Sequence, residues 1–153
     1  MTTEKHKVRT CLWFDGNGHE AARYYVSLLP DSRIEKEWLG DPPLVVEFTL
    51  AGAPMMILNG GPHYKLSPAA SISVLTKDQA ETDRLWRALL EGGGEESMCG
   101  WLTDRFGVSW KITPEVLMRM QVSEDQVAAE RARQAMYKMR KIDIAALEAA
   151  YRG

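Results

Sequence analysis

Cysteine is scarce in this chain: Cys11 and Cys99 are its only two. A pair so far apart cannot build the dense disulfide framework of a small secreted domain, so core packing must hold the fold. Both thiols lie in strand-like runs and are expected to be buried in a reducing compartment. Long apolar runs are missing too. No stretch approaches the roughly 20 apolar residues that cross a bilayer, and the polar start from Met1 to Lys7 leads into no signal-type apolar segment, which points to a cytoplasmic protein with no membrane contact. Charge of one sign is also lacking, because 19 basic against 21 acidic side chains leave a formal net charge of −2 with no block of like charge. A nucleic-acid backbone would find no footprint here. Histidine is limited to His6, His19 and His63, with no paired spacing that would make a zinc site. His6 in the terminus and His19 at a helix start are expected to be solvated, and His63 to lie in a linker.

What the chain does have is an apolar fraction of 45%, enough for a core without metal or disulfide help. The run from Lys7 to Asp15 alternates as a strand, with Val8, Thr10, Leu12 and Phe14 on one face and Arg9, Cys11 and Trp13 on the other. After the turn Asp15-Gly16-Asn17-Gly18, the residues Ala21, Ala22, Tyr25, Leu28 and Leu29 recur at helical spacing until Pro30. Three strands follow, Ser32 to Leu39, Leu44 to Leu50 and Pro54 to Leu58, parted by turn residues at 40–43 and 51–53. The order is βαβββ. Beyond a loop from Asn59 to Pro68 it begins again: a strand from Ala70 to Leu75, then a helix opened by Asp78 with Glu81, striped by Leu85, Trp86, Leu89 and Leu90 and closed at 92–94. Short strands at Glu96 to Cys99, Gly100 to Asp104 and Val108 to Thr113 complete the second module. The rest is helical: a turn at 115–120, a helix begun by Ser123 with Gln126 and reaching Met139, and one opened by Asp143. Its stripe of Val127, Met136, Met139, Ile144, Leu147 and Tyr151 must be covered, and its methionines Met118, Met120, Met136 and Met139 suit adaptable packing. The chain is thus expected to be α+β and a single domain over 1–153, with module 1 near 7–60, module 2 near 69–114 and a helical tail over 115–153.

Several segments carry a resemblance. They are Trp13-Phe14-Asp15-Gly16 before Glu20-Ala21-Ala22, then Leu58-Asn59-Gly60-Gly61, Asp83-Arg84-Leu85-Trp86, and the long run from Cys99 through Asp104-Arg105-Phe106-Gly107 to Trp110. Together they resemble the PhnB-like proteins. That family bears the description "3-demethylubiquinone-9 3-methyltransferase domain" and belongs to the vicinal-oxygen-chelate superfamily of glyoxalases, bleomycin-resistance proteins and extradiol dioxygenases. The resemblance implies a glyoxalase-like fold of two βαβββ modules forming a curved mixed sheet, a homodimer, and a cavity within the sheet. Metal-dependent relatives hold one divalent ion on inward His and carboxylate side chains. The corresponding places here fall near Val8, at Ala70 or Ser71, and at Lys111, none of which would hold a cation, so neither metal nor other cofactor is expected. Methyl transfer from a nucleotide donor is not expected either, since Asp15-Gly16-Asn17-Gly18 is too short for a donor-binding loop and 92–94 follows a helix, as a C-cap does.

Strand parity then nominates Thr10, Leu12, Phe14, Thr49, Ser71, Ser73, Thr103 and Lys111 as lining a mixed pocket for a small molecule. Glu47 and Lys111 are candidates for catalysis, a carboxylate base and a point cation for an anionic group. The five tryptophans are expected in the core or at a dimer interface. Three functions fit these features. The first is a metal-free homodimeric protein that binds a small molecule. The second is an enzyme of lyase, isomerase or transferase type acting on a small anionic or quinone-like substrate. The third is a module that docks a partner through its C-terminal helices.

Overall fold

A computed structural model describes residues 5–153; the first four residues of the polar start lie outside it. The chain divides into two units, residues 1–66 and 67–153.

In the first unit the strands are β1 (Thr10–Phe14), β2 (Arg33–Trp38), β3 (Val45–Leu50) and β4 (Ala53–Asn59), with helix α1 (Gly18–Leu28) after β1. They form a four-stranded sheet in the order β1-β4-β3-β2, with β1 parallel to β4 and the other pairs antiparallel. One face carries Leu12, Phe14, Val46, Phe48, Met55 and Ile57, all buried, and α1 lays Ala21, Ala22 and Tyr25 on it. Small residues on α1 allow this approach. A Cβ on Gly18 would come within 2.1 Å of Ile57 Cγ2 and 2.7 Å of Asn59 Oδ1, so only glycine fits at the helix start. Asn59 fixes that start from both ends of its amide, accepting from Gly18 N–H at 2.8 Å and donating to Pro43 O at 2.9 Å. Between β3 and β4, Ala51 and Gly52 both have positive φ, the geometry of a two-residue hairpin turn matched to strand twist.

The second unit repeats the plan with β5 (Ile72–Thr76), α2 (Gln79–Leu90), β6 (Glu95–Glu96), β7 (Trp101–Thr103) and β8 (Ser109–Pro114) in the sheet order β5-β8-β7-β6. Strand β5 runs parallel to β8, and the other pairs are antiparallel. Helix α2 begins where Asp78 accepts from Glu81 N–H, while the Glu81 carboxylate accepts from Lys77 N–H; it buries Thr82, Leu85, Trp86 and Leu89. Buried Asp104 organises the turn into β8, taking the N–H groups of Phe106 and Val108 on one oxygen and the Trp110 indole N–H on the other. This is what the long Cys99–Trp110 motif encodes.

Three helices follow in the same unit, α3 (Glu115–Gln121), α4 (Gln126–Met136) and α5 (Ile144–Arg152). Their core is Leu117, Met120, Ala132, Met136, Ile142 and Leu147, with Cys99, Val116, Met139 and Tyr151 packed against it. Burying a Leu or Ile fully contributes about 1.5–3 kcal/mol, so this cluster is ample reason for the tail to fold back. Gln79 fastens it: the amide donates to Ile142 O at 3.0 Å and accepts from Ile144 N–H at 2.8 Å. Cys99 and Gly100 N–H groups donate to Met139 O and Arg140 O.

The structure differs from the sequence expectation in places. β5 starts at Ile72, so Ala70 and Ser71 precede the strand, and β6 shrinks to two residues. Asp125, not Ser123, caps α4, because the Ser123 hydroxyl is paired with Tyr151 Oη at 2.6 Å. Val127 points outward, 69% exposed, since α4 turns its alanines inward. No helix among the described residues is long and apolar enough to cross a membrane.

Candidate functional site

Each sheet has one face covered by its helix, and the candidate site residues are sorted by which face they occupy. In the first unit, Thr10, Leu12 and Phe14 pair with Met55, Ile57 and Asn59, placing them on the α1 side. Leu12 and Phe14 are therefore core residues, and Thr10 is exposed at the start of an edge strand. Glu47 and Thr49 have the opposite parity. The expectation that all five share a pocket wall fails by one residue in phase: the partners of Glu47 and Thr49 on the open face are Arg9, Cys11 and Trp13.

Arg9 gathers that open face. Its guanidinium lies 2.6 Å from Glu35 and 4.0 Å from Glu47, and donates to the carbonyls of Met55 and Phe48 at 3.0 and 3.2 Å. Burial would raise the Glu35 carboxyl, but the adjoining Arg9 guanidinium, with Arg33 further off, holds it below its ordinary value. The cation beside Glu47 is Arg9, from the same unit. A cavity of about 710 Å³ over this cluster is lined by residues that include His6, Lys36, Trp38 and Glu47, so His6 is part of a wall and not a free terminal side chain. His19 is half-buried, and its Nδ1 has no hydrogen-bond partner. Cys11 is exposed on the open face and Cys99 is half-buried in a turn, which corrects the expectation of two buried thiols.

In the second unit, Ser73, Lys111 and Trp101 lie side by side across β5, β8 and β7, and Ser109 opposes Thr103. Their parity is opposite to that of Trp110, Ile112 and Leu102, which are buried in the core. Ser73, Thr103 and Lys111 therefore share the open face, while Ser71 stands outside the strand. A cavity of about 380 Å³ opens here, lined by Pro68, Ser97, Met98, Cys99, Trp101, Leu102, Thr103 and Ser109. Ser109 was missed. It alternates with Lys111 on β8, and that i, i+2 spacing was the signal that could have found it. Trp86 and Trp110 are core residues, whereas Trp13, Trp38 and Trp101 are only half-buried on open faces.

The residues present do not suit the groups that the resemblance brings with it. No group of three His, Cys, Asp or Glu that could hold a metal occurs among the described residues. Val8 is exposed, and Lys111 stands on the open face where a cation would be repelled. For a nucleotide methyl donor, the loop before α1 offers no cradle: Ile57 and Asn59 fill the space at Gly18, and Asn59 takes its N–H. The glycines at 92–94 close a helix, with Gly94 N–H donating to Leu90 O.

Residues 6–113 match the model of the family described as 3-demethylubiquinone-9 3-methyltransferase. Among solved structures, the PhnB protein from Bacillus cereus is 28% identical, with a TM-score of 0.66 over 71% of this chain and 99% of its own. A Pseudomonas aeruginosa protein is 25% identical, with a TM-score of 0.59 over 72% of this chain and 98% of its own. The fosfomycin resistance protein FosX from Mesorhizobium loti shares the fold alone, at 12% identity and a TM-score of 0.51 over 72% of this chain and 92% of its own. No curated protein matches the chain.

Proposed function

The chain belongs to the 3-demethylubiquinone-9 3-methyltransferase family, PhnB-like proteins of the glyoxalase and vicinal-oxygen-chelate superfamily, and from that premise we propose a metal-independent, homodimeric, cytoplasmic protein that binds a small organic molecule. The observation that carries this reading is the 380 Å³ cavity on the open face of the second sheet, where apolar walls surround a few polar side chains. Small-molecule sites have that make-up and that order of volume. Metal independence is supported by the donors themselves, since Lys111 and the apolar Val8 replace ligands that a divalent ion requires. Dimerisation is supported by Trp13, Trp38 and Trp101, aromatic anchors left half-exposed on the sheets, and both units would serve one functional domain. The tail gives less reason to look for another protein partner, because its apolar stripe is largely consumed inside its own unit. The test is native mass spectrometry of protein purified without added metal. The expected species is a dimer free of divalent ions, carrying an organic adduct or accepting one from a fragment mixture. Stoichiometric metal, or a monomer that takes up no small molecule, would sink the reading.

A further inference from the structure

Resting on the small-molecule reading above, we infer that the second-unit cavity is built for an aromatic ring bearing an ionisable oxygen, a phenol or an aromatic acid, with that oxygen seated on Ser109 and its charge facing Lys111. Ser109 is 3% exposed, and its Oγ has no hydrogen-bond partner in the protein. A buried hydroxyl left unpaired is unfavourable, and native structures rarely keep one without a reason. Ser109 is one of the residues lining the cavity, so a ligand oxygen that reached its buried hydroxyl would supply the missing bond.

The rest of the lining selects what carries that oxygen. Trp101 offers a flat half-buried wall, Met98 a polarisable thioether and Pro68 an apolar edge, a set that suits a ring. Thr103, directly across from Ser109, adds a second hydroxyl. Lys111 lies two residues along β8 on the same face, about 7 Å away by strand geometry. No ion pair within the described residues uses its ammonium, and the side chain is half-buried beside Trp101. An uncommitted cation at this range favours the ionised form of the ligand and makes the Ser109 bond charge-assisted.

The probe is 4-nitrophenol, whose anion is coloured, set against its neutral methyl ether 4-nitroanisole, both titrated into the full-length protein. The phenol should bind saturably, with its anion enriched on the protein, and roughly tenfold or more tighter than the ether. Ser109→Ala should weaken the phenol by a similar factor and yet melt about 2–4 °C higher when ligand-free, because the orphaned hydroxyl is gone. A serine with only a structural role would not couple those two changes. Lys111→Met, a half-exposed site safe for folding, should still bind the neutral phenol but lose the enrichment of its anion. Equal affinity for phenol and ether, or full affinity in Ser109→Ala, would overturn the ligand class and leave small-molecule binding standing. Binding of neither probe overturns the inference too, and joined to a failed adduct search by mass spectrometry it removes the proposed function as well.

Discussion

At the level of single residues, Arg9 and Glu35 form a nearly buried ion pair, 11% and 18% exposed in their side chains. Removing Arg9 would leave Glu35 with Arg33 alone, 3.6 Å away, and take away a charge-assisted contact, at a cost of about 1–3 kcal/mol. Arg9→Met should destabilise the protein by that order in denaturant titrations, and the loss should depend on pH. In the native chain the Glu35 carboxyl titrates below its ordinary value of 4.5. Its contribution is therefore complete above about pH 4.5 and lost as pH falls through the lowered value. Without Arg9 the largest lowering influence is lost and only Arg33 and Thr49 oppose burial, so the folded-state value moves upward. The variant should then lie furthest below the parent near neutrality and approach it as the pH drops under about 4.5; a gap that stayed constant with pH would refute this account. The pair was not legible in the sequence. Period-two alternation separates Arg9, Cys11 and Trp13 from Thr10, Leu12 and Phe14, but with apolar residues in both sets nothing local says which set meets the helix. On β8 the phase is plain, because Trp110 and Ile112 are buried and leave Lys111 on the other face.

At the level of elements, local signals did most of the work. Asp78 and Asp143 were recognised as helix starts, and each accepts a backbone N–H as a cap should. Tertiary fastening was not visible. Gln79 looks like an ordinary first-turn residue of α2, yet its amide ties down residues 142 and 144, more than sixty positions away. Asp83 adds Lys141 at 2.9 Å, and its carboxyl is held below the usual range by the Gln79 amide first and then by Lys141. Replacing Gln79 with alanine should release the tail selectively. Amide exchange over residues 139–152 is expected to quicken roughly tenfold or more, with residues 10–59 unchanged. Unaltered protection in the tail would mean that the Leu117–Leu147 cluster holds it alone.

At the level of the whole molecule, the repeated βαβββ order could be inferred from turn chemistry although the two modules share no evident sequence repeat. Strand lengths were less readable, because β6 and β7 are two and three residues long and glycine-flanked. Between the units, residues 62–70 are exposed almost throughout and carry little regular structure. Other exposed cationic turns are fastened, that around Arg105 by Asp104 and that at 139–140 by the backbone of 99–100. Trypsin should therefore make its first internal cut after Lys65, readable by mass spectrometry of a timed digest. Earliest cleavage within either sheet would contradict this ordering of local stability.

Asn59 has a further consequence, for the protein's durability. It is followed by Gly60, and an asparagine before glycine is where the next backbone nitrogen most readily attacks the side-chain amide, closing a succinimide that opens to aspartate or isoaspartate. In the folded unit both ends of that amide are held, one by Gly18 and one by Pro43, which keeps it from the geometry of ring closure. Once deamidated, the residue would turn an oxygen where a donor to Pro43 is needed and so loosen the start of α1. Each opening of β4 is thus a moment of chemical ageing, and the molecule's shelf life is tied to how rarely that strand lets go.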